Sequence, residues 1–214
     1  HDDGVNAAVF SPDGRKLATV SDDNTARIWD VQTGQKLQRL EHDWNVYVTT
    51  AFSPDCQKLA TVSDDRTARI WDAQTGKELQ RLEHDDGVNA AVFSPDGQKL
   101  ATVSDDNTAR IWDAQTGKEL LRLEHDDGVN AAAFSPDGQK LATACIDNTA
   151  RIWDAQTGKE LQKLEHDYWV GAAVFSPDSR KLAMASGYYT ARIWDVQTGK
   201  ELLRLEHDDG VNAA

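Results

Sequence analysis

The sequence is poor in cysteine, poor in cations and free of long apolar runs, and each shortage excludes something. Two cysteines, Cys56 and Cys145, are spread over 214 residues. A small secreted fold stapled by disulfides uses more of them, in pairs. Packing must therefore hold this chain, and a reducing, cytoplasmic setting is expected. Lysine and arginine number 23 against 36 aspartate and glutamate, a net charge of −13. Such a surface lacks the cations that neutralise phosphate. Neither nucleic acid nor an anionic membrane is an expected partner, whereas a cationic segment is electrostatically favoured. No stretch approaches the roughly 20 apolar residues of a membrane-spanning helix, and no signal peptide is visible.

What the chain does have is repetition. Trp-Asp recurs at Trp29-Asp30, Trp71-Asp72, Trp112-Asp113, Trp153-Asp154 and Trp194-Asp195, with tryptophans 42, 41, 41 and 41 residues apart. His1, His42, His84, His125, His166 and His207 keep the same step. A fixed period of this length marks a repeat architecture. The period divides the chain into 1–41, 42–83, 84–124, 125–165 and 166–206, and 207–214 (HDDGVNAA) begins a sixth copy. No Met precedes His1, and both ends are expected to be cuts from a longer chain.

One copy, 84–124, reads as four short strands. VNAAVF (88–93), KLATVS (99–104), ARIWD (109–113) and KELLRLE (118–124) are separated by SPDG, DDNT and AQTG. Proline and glycine in those connections preset tight turns. Runs of this length and spacing predict an antiparallel meander. The alanine-rich first run suits a crowded inner position, and the charged fourth run suits an exposed outer edge. One meander cannot bury both of its faces, so neighbouring copies must stack on each other.

The succession of His84, SPDG (94–97) and LATVSDDNTARIWD (100–113) resembles the WD40 repeat, and the resemblance extends over the whole chain. It implies an all-β propeller of four-stranded antiparallel blades. It further implies a non-enzymatic protein-interaction scaffold, without cofactor, that binds a peptide or protein at its upper face or rim. The near-identical blades resemble those of large prokaryotic signalling proteins, so a sensor or partner-binding module is expected. Rings of this family usually have seven blades, which implies completion by further repeats or by another chain.

The resemblance also implies a hydrogen-bonded tetrad in each blade. Its members are His1, Ser21, Asp23 and Trp29; His42, Ser63, Asp65 and Trp71; and His84, Ser104, Asp106 and Trp112. Blade four has His125, Cys145, Asp147 and Trp153, with cysteine in the serine position. Blade five has His166, Ser186 and Trp194, with Tyr188 where aspartate is expected, and should be the loosest. One departure is general. Glu41, Glu83, Glu124, Glu165 and Glu206 stand where the family usually has glycine, so the following turn must manage without a left-handed residue.

Serine, histidine and aspartate are also the residue types of a hydrolase triad. Their recurrence in several blades, with no strand-turn-helix elbow at the serine, favours the structural role. The histidines, one per copy, make no close-spaced metal-ligand set, and the DDNT turns lack the spacing of a calcium loop. No catalytic or metal-binding residue is assigned.

Individuality lies where the copies disagree. Blades three and four differ at six of 41 positions, so the exceptions elsewhere stand out. They include Trp44, Tyr47, Arg66, Ile146, Tyr168, Trp169, Tyr188 and Tyr189. Cys56 and Ser179 are the exceptions in the opposite, SPDG turns. Otherwise the exceptions fall mainly in the loop before the first strand, at that strand's start, and in the turn between the second and third strands. In a meander these connections open on one side. Aromatic residues and arginine on loops of a rigid scaffold read as a recognition surface. The competing reading is neutral drift in a purely structural, recently amplified or engineered array.

Overall fold

The computed structural model describes residues 1–46, 50–187 and 190–207. Among these residues, twenty strands form five four-stranded antiparallel sheets, each in sequence order. Blade one contains β1 (Val5–Phe10), β2 (Lys16–Ser21), β3 (Thr25–Asp30) and β4 (Lys36–Glu41). Blade two contains β5 (Ala51–Phe52), β6 (Lys58–Val62), β7 (Thr67–Asp72) and β8 (Glu78–Glu83). Blade three contains β9 (Val88–Phe93), β10 (Lys99–Ser104), β11 (Thr108–Asp113) and β12 (Glu119–Glu124). Blade four contains β13 (Val129–Phe134), β14 (Lys140–Cys145), β15 (Thr149–Asp154) and β16 (Glu160–Glu165). Blade five contains β17 (Val170–Phe175), β18 (Lys181–Ser186), β19 (Thr190–Asp195) and β20 (Glu201–Glu206). The start of a sixth copy at 208–214 lies outside the described residues.

The first strands of successive blades are neighbours, as β9 is to β13 and β13 to β17, which makes them the inner strands. Between blades the core is apolar. Ala101, Val103, Ala109, Ile111 and Leu123 of blade three meet Val129, Phe134, Leu141, Trp153 and Ala155 of blade four. The same set recurs between blades one and two, two and three, and four and five. Each interior strand is therefore buried on both faces, which is why ARIW carries no clean alternation of apolar and polar residues.

Two irregularities repeat. The third and fourth strands lose register beside each Trp, as between Ile111 and Trp112. The first and second strands lose it beside Asn6, Asn89 and Asn130. A bulge re-aims its side chain and sharpens strand twist. Here the asparagine amide reaches the next blade: Asn89 Nδ2 donates to the Val129 carbonyl at 3.0 Å, and Asn130 Nδ2 to that of Val170 at 3.0 Å.

The turns explain the small polar residues. In SPDG, Ser94 Oγ donates to Asp96 and accepts from Lys99 N–H, and Gly97 closes the turn at φ 69°. The glutamates before each His need no such freedom. Glu124 is the last residue of β12, paired with Thr108 in extended backbone. Cys56 and Ser179 replace the turn glycine yet keep φ 60°. A side chain in this left-handed conformation is strained. Cys56→Gly should therefore raise stability by about 1 kcal/mol. An unchanged or lower urea midpoint, at equal dependence on denaturant, would contradict this.

Candidate functional site

Blades one to four carry a buried polar chain that runs from the third strand to the loop entering the first. In blade three Trp112 Nε1 donates to Thr102 Oγ1 at 2.8 Å. Thr102 Oγ1 lies 2.7 Å from His84 Nε2, and His84 Nδ1 lies 2.8 Å from Asp106 Oδ2. Elementary chemistry fixes the direction of the two outer bonds. Indole nitrogen only donates and a carboxylate only accepts, so His84 Nδ1–H donates to Asp106. Burial holds His84 below 6.5 and so keeps the imidazole neutral at pH 7; Nε2 then accepts from the threonine hydroxyl. Blades one and two repeat the pattern through His1, Thr19, Asp23 and Trp29, and through His42, Thr61, Asp65 and Trp71.

The hydroxyl between His and Trp is therefore threonine, which corrects the expected tetrad. Ser21, Ser63 and Ser104 sit two residues further along the same strand face. They tie down the entering loop: Ser104 Oγ donates to the Gly87 carbonyl at 2.7 Å and accepts from Asp106 N–H at 3.0 Å. Cys145 makes longer contacts of the same kind, to the Asp127 carbonyl at 3.2 Å and the Gly128 carbonyl at 3.3 Å. Burial pushes its thiol up to about 12, so it is a packing residue and not a nucleophile. Ser186 reaches the Tyr168 and Trp169 carbonyls.

Blades four and five depart further. His125 keeps Thr143, and through it Trp153, but turns Nδ1 to the Leu123 carbonyl at 3.1 Å and away from Asp147. In blade five Met184 occupies the threonine position. His166 Nδ1 and Nε2 and Trp194 Nε1 are buried without a hydrogen-bond partner among the described residues. Tyr188, the residue in the aspartate position, lies outside the described residues.

An unforeseen participant is the arginine of TARIWD. Arg110 is buried, and its Nη2 bridges Asp106 at 2.7 Å and Asp85 at 3.0 Å. Arg27, Arg69 and Arg151 bridge Asp23 and Asp2, Asp65 and Asp43, and Asp147 and Asp126. Arg192 meets Asp167 alone among these acids. The aspartate after each Trp has a separate task. Asp113 Oδ1 accepts from both the amide and the hydroxyl of Thr116 and so shapes the next turn.

Electrostatics follow from this wiring. Burial opposes ionisation of Asp106, but hydrogen bonds from His84 and Thr108 outweigh it and hold the carboxyl well below its usual range. Burial holds His84 below 6.5, although Asp106 pulls it up. Without an aspartate hydrogen bond, burial and the nearby Arg151 lower His125 to about 4, and burial and Arg192 do the same to His166. Threonine, histidine and aspartate have the spacing of nucleophile, base and orienter. However, Thr102 and His84 are buried, and the threonine already accepts the indole N–H. The arrangement pins a loop. Among the described residues, no group of three or more His, Cys, Asp or Glu is placed to hold a metal ion.

The individual residues divide into two groups. Trp44 and Arg66 line one groove of about 470 Å3, together with Asp43, Asp64, Asp65 and Asp86. Trp44 is 66% exposed. Arg66 takes φ 66° where other blades have Asn24, Asn107 and Asn148, and arginine tolerates that conformation less well. Ile146, Tyr168 and Trp169 are exposed but do not line this groove. Trp169 lies over two glycines: a Cβ on Gly187 would stand 2.1 Å from its Cε2, and one on Gly171 2.7 Å from its Cζ3. Blade three has Asp105 and Asn89 there, hydrogen-bonded at 2.6 Å. Trp169, Gly171 and Gly187 are thus one coupled change. Tyr47 and Tyr189 lie outside the described residues, as does Tyr188.

Repeated four-stranded blades, stacked through apolar faces and pinned in blades one to three by a Trp-Thr-His-Asp chain, define a propeller-type repeat array. The family model for the WD domain, G-beta repeat (WD40) matches residues 1–30, 34–72, 76–113, 117–154 and 158–195. The chain belongs to the WD40 family. A maize protein, "Guanine nucleotide-binding protein subunit beta", is 50% identical over 38 residues, 18% of this chain and 10% of that protein. An Arabidopsis thaliana protein of the same name is 47% identical over 38 residues, again 18% and 10%. The mouse "WD repeat-containing protein 38" is 48% identical over 40 residues, 19% of this chain and 13% of that protein. The matched stretch thus spans about a tenth of the length of these relatives. Such a family membership supports a protein-interaction scaffold.

Two measurements test the polar chain. Thr102→Val strands the buried nitrogens of His84 and Trp112, and should cost about 1–3 kcal/mol for each group left unpaired. An unchanged urea midpoint would return the role to Ser104. The second concerns acid. His125 and His166 bind protons near 4 when folded and near 6.5 when free of the fold. Between these values the unfolded chain carries more protons, so stability should fall as pH drops from 6.5 to 4. His166→Leu should flatten that slope; an identical slope would contradict the assignment.

Proposed function

We propose that this WD40 array is a non-enzymatic scaffold that recognises a protein or peptide through its upper face, with a cationic segment as the favoured ligand. The observation that carries the reading is the groove in which exposed Trp44 and Arg66 stand among Asp43, Asp64, Asp65 and Asp86, four carboxylates to one guanidinium. An aromatic face beside carboxylates suits a lysine or arginine side chain, because both attract a cation. The net charge of −13 acts in the same sense at longer range. Ile146, Tyr168 and Trp169 extend the contact surface, as would Tyr47, Tyr188 and Tyr189. Relatives named as a subunit of a guanine nucleotide-binding protein support a role in assembly, and through it in signalling. We take the array to be the sensor or partner-binding module of a larger protein, in a cytoplasmic setting consistent with two free cysteines. Nucleic acid and membrane are not its ligands. Further repeats or another chain would complete the ring.

The near-identity of blades three and four favours one other reading, a structural array with no specific ligand. Binding of lysine- and arginine-rich peptides, followed by fluorescence anisotropy, separates the two. Basic peptides should bind, with affinity falling as salt rises, and acidic peptides of equal length should not. Trp44→Ala should cost about tenfold or more in affinity, as truncation of an aromatic anchor does. If no basic peptide binds, or if Trp44→Ala binds as the parent does, the structural array is the better account.

A further inference from the structure

The groove that holds Trp44 differs in charge from the matching loops of the next two blades. Blades three and four have Asp86 and Asp127 where blade two has Trp44, and Asn107 and Asn148 where it has Arg66. Blade two has thus lost a carboxylate and gained a guanidinium at one mouth. The second change would weaken a pocket meant for cations alone, because like charge repels the ligand. Two of the four carboxylates lining the groove are also already met. Arg69 Nη2 lies 2.9 Å from Asp43 and 2.7 Å from Asp65, and Asp65 also accepts from His42.

Within the fold the Arg66 side chain has no task. Its backbone does what the asparagines do: the Arg66 carbonyl accepts from His84 N–H at 2.9 Å, as the Asn107 carbonyl does from His125 N–H. The side chain is exposed, and among the described residues its guanidinium makes no hydrogen bond or ion pair, although carboxylates line the same groove. The cost lies in the backbone. Arg66 has φ 66°, in the left-handed region. Asparagine visits that region readily because its short side chain can hydrogen-bond locally, and arginine does not. A strained residue with no compensating contact inside the fold points to a use outside it.

We propose, resting on the recognition reading above, that Arg66 binds a carboxylate on the same ligand whose basic side chain meets Trp44, so that the groove selects a peptide with an acidic residue close to a basic one. A guanidinium is planar, and its paired donors match both oxygens of a carboxylate. A single negative charge suits the site better than a phosphate, which would bring about −1.5 to −2 into a groove with four carboxylates. Asp86, with Oδ1 on the Gly87 amide, takes the basic side chain together with the Trp44 ring. The same guanidinium repels a ligand that is basic throughout, so general attraction is exchanged for discrimination between partners.

The test uses the 214-residue chain and fluorescent peptides of equal length, each with one lysine–arginine pair among alanines. In one series a single glutamate replaces one alanine at a time, on either side of the pair, and binding is read by anisotropy. Glutamate should weaken binding at most positions, because the protein carries a net charge of −13. Close to the pair it should strengthen binding by about two- to fivefold, the size of an exposed ion pair. Arg66→Asn restores the residue of blades one, three and four. It should keep or raise the urea midpoint, because the backbone is relaxed, and it should abolish the gain, so that glutamate weakens binding at every position. Glutamate that weakens binding to the parent protein at every position would overturn the proposal, and so would a gain that survives in Arg66→Asn. A phosphoserine peptide that binds more tightly than the best glutamate peptide would overturn the choice of a carboxylate. In each of these cases the recognition reading still stands if the peptide without glutamate binds and Trp44→Ala weakens it. If no peptide of the series binds, both fall together.

Discussion

Burial of both faces of a four-stranded sheet is the constraint on which everything else in this molecule depends. A strand such as β11 has alanine and isoleucine directed to one neighbour and tryptophan to the other, and neither side can be left to water at no cost. No single blade satisfies that requirement. The period of about 41 residues, the apolar run in the middle of each copy and the charged fourth strand all follow from it. So does the contrast between the internal blades and the two outer faces, where identical residue types stand buried in one place and exposed in another.

The polar chain is the complement of that packing. Stacking fixes where blades sit but does not fix the loops that enter them. A neutral histidine held between aspartate and threonine, with the threonine held by tryptophan, ties loop, second strand and third strand into one unit. Arginine adds charge balance: a buried carboxylate such as Asp106 ionises because His84, Thr108 and Arg110 all meet it. Blade five has lost the threonine, and its orphaned indole and imidazole nitrogens mark the place. The same blade gained Trp169 with two glycines beneath it, so loss of internal wiring and gain of surface identity occur together.

Much of this was legible in the sequence, and the failures have physical reasons. Turn residues at fixed offsets gave strand number and order, because proline, glycine and asparagine each demand a particular backbone. The identity of the bridging hydroxyl was not legible from alternation. Thr102 and Ser104 lie on the same face of one strand, and a period of two cannot say which of them meets His84. A usable signal was present in blade five, which keeps Ser186 but has Met184 for threonine. The buried arginine was missed because a charge in an outward-reading position passes for a solvated one. The repeated TARIWD held it at one place in all five copies. The grouping of Trp44 with Arg66, and its separation from Trp169, needed the loops in three dimensions.

Stacking, and not the sequence of a blade, sets a blade's stability. Amide hydrogen exchange at high dilution tests it with unusual control, because TARIWD is identical in β3, β7, β11, β15 and β19, and intrinsic exchange rates are therefore matched. Exchange should be slowest in β11, flanked by complete neighbours, and fastest in β3 and β19, each at an outer blade of this chain. Equal protection of all five segments would contradict it.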